Sequence, residues 1–406
     1  MKKILTISIA FCFFLGYGFS QKKMGAVVSE ANHPLQYIIV NGIDPTPESF
    51  DEVASVFGKT TDRKTAIGVG FILSYFQMSP EAAAERLKKY LSLSEQFDLP
   101  VMVQLDGEQW WGNRPDLWNW WDDKKPGYNP ENRKNVEWTA WTPDSAVKIG
   151  WRNWGRQLRV LPMPNLMSPA YRDACHIEMG KLIPIVIEWW NSLPKEKKYL
   201  LVGIKMGWES AIGVNNWYYP NGNSLLNQPE KNDPIYGLTT DSLPGRGVTA
   251  IGYASVSTLG LANSGQLKEE QLTKVVQLHL EDLCKFAADH GVPRDRLFTH
   301  CGGWSQGETL YTAAINKYSC PGWSFYKYAV DPKADITAMK TLESSDAPYW
   351  GAVEWLLQGD HTKEQWKSAL KNTMSDNRIR YMCIYNWRGI KNNVNCISAI
   401  KEIIQK

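Results

Sequence analysis

The chain has 406 residues, 43% hydrophobic and 21% charged, a composition that supports a large core and excludes a disordered or collagen-like polymer. Its 45 basic and 42 acidic side chains leave a formal charge of +3 without any long run of one sign. Neither nucleic acid nor an anionic membrane surface is therefore implied as a partner. The unusual figure is aromatic: Phe, Trp and Tyr make up 12%, with 19 Trp. Indole is hard to bury fully and its N–H wants a partner, so this exceeds what a core needs. Flat indole faces match the C–H faces of sugar rings, which makes carbohydrate the expected ligand class.

In chain order, Met1-Lys2-Lys3 precedes an apolar run over 4–18 and then Phe19-Ser20-Gln21, with small residues near the end. This pattern predicts a secretory signal peptide over 1–20, cleaved near Ser20, and a secreted or periplasmic protein. A membrane anchor is the competing reading, but the run is short of the roughly 20 residues a span needs. Strands are then expected at 35–40, 65–76, 99–105, 199–206, 297–300, 323–330, 349–354 and 379–385. Helices are expected at 47–57, 80–97, 169–193, 267–290, 308–316, 336–342, 363–374 and 394–404. Short apolar strands alternating with longer helical patterns imply βαβ units and a parallel sheet. Eight such units predict an α/β fold of the (β/α)₈ barrel type, with a doubly wound open sheet as runner-up. No repeat or low-complexity linker divides the chain, so 21–406 is expected to form a single barrel domain.

Two connections are longer than plain loops. The first, 106–168, holds Trp110, Trp111, Trp118, Trp120, Trp121, Trp138, Trp141, Trp151 and Trp154. The second, 209–265, holds Trp217, Tyr218 and Tyr219. Both follow a strand, so both belong to the face of a barrel where catalytic groups gather. The first is expected to wall the binding cleft with Trp110, Trp111, Asn113 and Arg114, narrowing it to a pocket suited to exo action.

The strand ends carry the candidate chemistry. They are Asn41 and Asp44 after the first strand, Asp106, Glu108 and Gln109 after the third, and Glu209 after the fourth. The fifth ends in His300, Gly303 and Trp304, the seventh in Glu354, and the eighth in Asn386 and Trp387. Glu209 and Glu354 thus rise from nearly opposite sides of the barrel. Glycoside hydrolysis needs such a pair, one acid to protonate the leaving oxygen and one carboxylate to attack the anomeric carbon or activate water.

The two glutamates, on the fourth strand (KMGWES) and the seventh (YWGAVEW), resemble those of the clan A (β/α)₈ retaining glycoside hydrolases, which include β-galactosidases, cellulases and β-mannanases. The resemblance spans the chain from about Leu35 onward and rests on strand order and these two residues. It implies that Glu209 is the general acid/base and Glu354 the nucleophile. It also implies that Trp387, after the last strand, is a sugar platform. Most of the clan has an Asn before the acid/base, binding the substrate 2-hydroxyl; this chain has Trp208.

The expected substrate-binding set is Asn41, Asp106, Glu108, Trp110, Trp111, Trp208, His300, Trp304, Asn386 and Trp387. Glu354 is expected to keep an ordinary carboxylate pKa, while Trp neighbours and the paired charge raise that of Glu209. Three alternatives stay open: an inverting glycosidase, since β-amylases also place glutamates after strands four and seven; a barrel that binds glycans without cleaving them, suggested by Trp208; and a serine esterase using Ser305. The last rests on Gly303-Trp304-Ser305-Gln306-Gly307, a G-x-S-x-G pattern followed by Asp360 and His361, without an upstream His-Gly-Gly stretch. Ser305 reads equally as a helix cap. The six histidines form no HxH or HExxH pair, and Gly58-Lys59-Thr60 lacks the upstream glycine of a P-loop, so neither metal nor nucleotide cofactor is expected. Once Cys12 leaves with the signal peptide, six cysteines remain, without a CxxC pair; they read as buried thiols or as disulfides.

Overall fold

Eight apolar segments bury both faces of their strands, and a parallel sheet is the arrangement that tolerates this. The computed structural model describes residues 35–153, 157–212, 216–218, 249–302 and 308–405. Its strands are β1 Gln36–Asn41, β2 Thr65–Ser74, β3 Val101–Asp106, β4 Gly150–Asn153, β5 Gln157–Val160 and β6 Leu201–Ser210, followed by β7 Asn216–Tyr218, β8 Thr249–Ala250, β9 Leu297–Cys301, β10 Gly322–Phe325, β11 Trp350–Trp355 and β12 Ile379–Ile384.

Eight of them close into a parallel barrel in the order β1-β12-β11-β10-β9-β6-β3-β2. Closure is made by β1 against β12, from Tyr37 opposite Tyr381 to Val40 opposite Ile384. Because β1 has a partner on both sides, the sheet has no free edge there, and the open doubly wound alternative falls. The fold is the (β/α)₈ barrel.

Helices follow the strands where the sequence places them, at Pro47–Phe57, Pro80–Phe97, Pro169–Ser192, Glu269–Asp289, Ile336–Glu343, Lys363–Met374 and Val394–Ile404. Their starts are set by local chemistry. Thr46, Ser79, Ser168 and Thr362 each accept an N–H of the first turn through the side chain, and the first three precede a proline that needs no such partner. The helix expected at 308–316 is instead a 3₁₀ segment, Glu308–Ala314.

Side chains alternate along each strand, so every second residue faces the barrel interior. Toward the strand N-termini this interior is apolar, filled by Tyr37, Ile39, Met102, Phe298, Tyr381 and Cys383. Toward the C-termini the same rows turn polar, with Asn41, Gln104, His300, Ser324 and Glu354, all buried. The narrow waist needs a missing side chain: a Cβ on Gly322 would lie 2.5 Å from the Thr299 carbonyl oxygen.

The two long connections build a second sheet that the sequence reading did not foresee. Its order is β5-β4-β7-β8, all antiparallel, with Trp151 opposite Trp217 and Arg152 opposite Asn216. The indoles of the first connection mostly serve its own packing. Trp111 donates to the Pro162 carbonyl (3.1 Å), Trp118 to Trp111 (3.0 Å), Trp120 to Val147 (3.1 Å), Trp138 to Arg133 (2.7 Å) and Trp141 to Gly265 (2.7 Å). Each indole thus finds the N–H partner it requires on a backbone carbonyl rather than on a ligand. Trp111, expected in the cleft, is 1% exposed and packs edge-on against Tyr171.

Among the described residues all six cysteines are free and buried, and no helix is long and apolar enough to cross a membrane. The expected signal peptide lies outside the described residues. Replacing Trp111 by Ala removes a fully buried indole and its carbonyl contact; stability should fall by about 3–5 kcal/mol, read as a lowered chemical-unfolding midpoint.

Candidate active site

Glu209 and Glu354 meet inside the mouth of the barrel, both 2% exposed. One oxygen of each and one ring nitrogen of His300 lie within 4.8 Å of one another. Glu354 sits in β11 and accepts two hydrogen bonds, from the Trp208 indole Nε1 (2.9 Å) and from the Tyr326 hydroxyl (2.6 Å). Burial pushes its pKa up, while the Lys205 ammonium, Tyr326 and Trp208 pull it back. An ordinary carboxylate pKa was the expectation; the upward shift arises because the site removes water from Glu354 more effectively than three partners replace it.

Glu209 is delivered by a distortion of β6. The register against β9 slips between Met206 and Ser210, and Glu209 itself has φ 50°, in the left-handed region. Such a residue persists only when its surroundings hold it. Gln109 Nε2 donates to the Trp208 carbonyl (2.8 Å), the Gly302 N–H to the Ser210 carbonyl (3.1 Å), and the Ser210 hydroxyl to Glu108. Gly207, at φ 78°, leaves room for the Ser210 hydroxyl, which would lie 2.4 Å from a Cβ there.

A chain of donors reaches Glu209 from below. Lys205 Nζ lies 2.6 Å from His300 Nδ1, His300 Nε2 lies 2.9 Å from Ser324 Oγ, and Ser324 Oγ donates to Glu209 Oε1 at 3.2 Å. Lys205 and His300 are fully buried. Burial and the neighbouring cations Lys205 and Arg152 hold the imidazole well below its usual range, so it is neutral. Glu209, His300 and Glu354 offer a possible metal-ligand set. Both His300 nitrogens are already engaged and the Lys205 ammonium stands against one of them, so the donor set does not suit a cation.

The other expected binding residues divide. Asn41 is buried in the interior, its Oδ1 accepting from Gln104 (2.7 Å) and its Nδ2 without a hydrogen-bond partner among the described residues. It lines a cavity of about 270 Å³ together with Tyr385, Asn386, Arg86 and Arg388. Asn386 also caps the short helix that follows β12 by accepting the Gly389 N–H (3.0 Å). Asp106 caps the start of the long connection, accepting the N–H of Glu108 (2.9 Å) and of Gln109 (3.3 Å) and the Ser74 hydroxyl (2.9 Å). Burial and the adjacent Glu108 push its pKa up to about 6. Glu108 accepts from Ser210 and pairs with His279 Nε2 at 3.1 Å, beneath the Glu209 segment. These two acids are used inside the protein to shape the loop and β6, not at a solvent-facing cleft. Trp110 is half-buried. Trp387 corrects the expectation of a sugar platform: it is buried, its Nε1 donating to Glu52 (2.8 Å) and its ring lying against Phe57. Trp304 and Ser305 lie outside the described residues.

Five residues escaped the sequence reading. Tyr326 and Tyr385 each stand one position beyond a strand, β10 and β12, where the strand-end rule would have found them. Burial and the two glutamates push Tyr385 up to about 12. Lys205 and Ser324 lie within strands and read as ordinary positions. Arg152 comes from β4, is fully buried, and brings its charge to bear on Glu209; its Nε donates to Gln109 at 2.5 Å.

No protein-family model matches the chain, and a search of curated proteins returns no match. Solved structures do match. A β-galactosidase from the psychrophilic Marinomonas ef1 aligns over 91% of this chain at 10% identity and a TM-score of 0.50; the match covers 59% of that longer protein. A GH5-4 broad specificity endoglucanase from an uncultured bacterium aligns over 90% of this chain and 86% of its own, at 8% identity and a TM-score of 0.44. A Bacteroides ovatus GH5 xyloglucanase, in complex with a XXXG heptasaccharide, aligns over 93% of this chain and 75% of its own, at 8% identity and a TM-score of 0.42. At these identities the likeness is one of fold.

The hydrogen bond from the Lys205 ammonium requires a lone pair on His300 Nδ1, so the imidazole proton must sit on Nε2. In ¹⁵N spectra of histidine-labelled protein, one ring should hold the Nε2–H tautomer unchanged from roughly pH 5 to 8. It should disappear in His300→Gln.

Proposed function

We propose that the protein is a retaining glycoside hydrolase with Glu354 as nucleophile and Glu209 as general acid/base. The observation that carries this reading is the pair of buried carboxylates facing each other at the barrel mouth, with oxygens within 4.8 Å. Retention by a covalent glycosyl-enzyme needs carboxyl groups about 5–5.5 Å apart, whereas inversion leaves about 6.5–9.5 Å for a water. The observed closeness supports the first. The fold shared with the β-galactosidase agrees with it.

The surroundings support the division of labour. Glu354 receives an indole N–H and a phenol O–H and faces a buried ammonium, all of which favour its charged form, as a nucleophile requires. Trp208 therefore orients the nucleophile from the position where the clan's Asn contacts the sugar. Glu209 accepts the Ser324 hydroxyl on Oε1. In the first step it gives its proton to the glycosidic oxygen while Glu354 attacks the anomeric carbon. In the second it takes a proton from water, which displaces Glu354. The cavity beside Tyr385, with the unpaired Nδ2 of Asn41, supplies a donor for a sugar hydroxyl. The substrate class is an oligosaccharide or polysaccharide. The amino-terminal apolar run supports export.

Glu209→Ala should lower kcat/KM on substrates with poor leaving groups by about 10²- to 10⁴-fold, the usual worth of a general acid, and far less on dinitrophenyl glycosides. Added azide should restore turnover and yield a glycosyl azide of the substrate's own anomeric configuration, by NMR. An azide of the opposite configuration would overturn retention.

Because the nucleophile must be ionised, a raised Glu354 pKa places the acid limb of kcat/KM above the ordinary carboxylate range; activity falls as pH drops through it. Trp208→Phe removes a donor to the carboxylate, so that limb should move up by about one pH unit.

A further inference from the structure

We propose that Lys205, His300 and Ser324 form a hydrogen-bond relay of fixed direction, which governs how readily Glu209 holds its proton. The proposal rests on the acid/base role assigned to Glu209 but concerns residues that touch no substrate; all three are positioning residues. Direction follows from chemistry. An ammonium has three donors and no acceptor, so Lys205 must donate to His300 Nδ1 (2.6 Å). The neutral ring then carries its proton on Nε2 and donates to Ser324 Oγ (2.9 Å). The serine hydroxyl, its acceptor side filled, turns its own proton to Glu209 Oε1 (3.2 Å). The chain thus ends in a donor and stabilises the carboxylate form of Glu209. No proton needs to travel along it.

The setting makes this more than a packing detail. Lys205 projects from β6, His300 from β9 and Ser324 from β10, so three adjacent barrel strands each supply one link. Lys205 is a fully buried cation, a costly placement that only the nearby charges of Glu354, Asp106 and Glu209 repay. Other ionisable groups face the same volume: Glu354 from β11, Tyr326 beyond β10, Tyr385 and Cys383 from the β12 region, Arg152 from β4, and Asp106 and Glu108 from the β3 end. A general electrostatic role for Lys205 would act on Glu209 and Glu354 alike. A relay acts on Glu209 through Ser324.

Two variants of the full chain, Ser324→Ala and Lys205→Met, and their combination separate these roles. Carboxyl titrations are followed by ¹³C NMR of glutamate-labelled protein, with Glu209 and Glu354 assigned through Glu209→Gln and Glu354→Gln. Ser324→Ala should raise the Glu209 midpoint by about half a pH unit or more while leaving Glu354 near its original value. Lys205→Met should raise both. In the double variant the Glu209 shift should fall well short of the sum, since both changes break one chain. In turnover, the alkaline limb of kcat/KM should move upward with Ser324→Ala. Additive shifts at Glu209, or a Ser324→Ala protein with unmoved Glu209, overturn the relay. Ser324→Ala removes one oxygen and is the decisive variant should Lys205→Met fail to fold. The titration reads the relay without turnover; absence of glycosidase activity alongside the expected shifts would overturn the functional reading and leave the relay standing.

Discussion

Two carboxyl groups held within 4.8 Å in a buried site have no bulk water to dissipate charge, so protein donors and cations must answer any charge they carry. Most of the unusual chemistry near the barrel mouth answers that constraint. Lys205 sits fully buried below the pair, Arg152 approaches from the accessory sheet, and Trp208, Tyr326 and Ser324 each spend a donor on one glutamate. A barrel suits the problem because every strand contributes inward-facing side chains at the same level, so donors and cations can surround a charge from several directions. Here β6, β9, β10 and β11 do so within one layer.

The backbone bears part of the cost. Glu209 adopts a left-handed conformation that non-glycine residues rarely hold, within a strand whose register slips beside it. The clamp around it draws on the long third connection: Asp106 turns the chain so that Glu108 receives the Ser210 hydroxyl and Gln109 holds the Trp208 carbonyl. Arg152, farther along the same connection, then holds Gln109. Residues that look like a solvated acidic rim in the sequence are thus the support for the Glu209 segment.

The abundance of tryptophan acquires a double meaning. Much of it stabilises a connection too long to order itself by backbone hydrogen bonds alone, each indole anchoring to a carbonyl. Trp208 and Trp387 instead direct their N–H to carboxylates, Trp208 to Glu354 at the barrel mouth and Trp387 to Glu52. The accessory sheet formed by β4, β5, β7 and β8 is the other device that orders these segments.

Hydrophobic period alone determined the eight strand–helix units, while closure into a barrel was decided by the pairing of β1 with β12. Eight apolar strands and the helices between them were legible because 2-residue and 3.6-residue periodicities are local properties. Caps such as Ser168 and Thr362 were equally local, and the rule that function gathers at strand ends located Glu209 and Glu354. Tertiary structure alone decided which strand-end residues face one another and which turn away. Trp387 and Trp111 carry the same chemistry as Trp208, yet they close the core because their neighbours, Glu52 and Pro162, arrive from distant segments. Lys205, His300 and Ser324 are 24 to 95 residues apart where they touch. No local signal encodes a contact made only when the sheet closes, so the partners of the two glutamates became visible only in the fold.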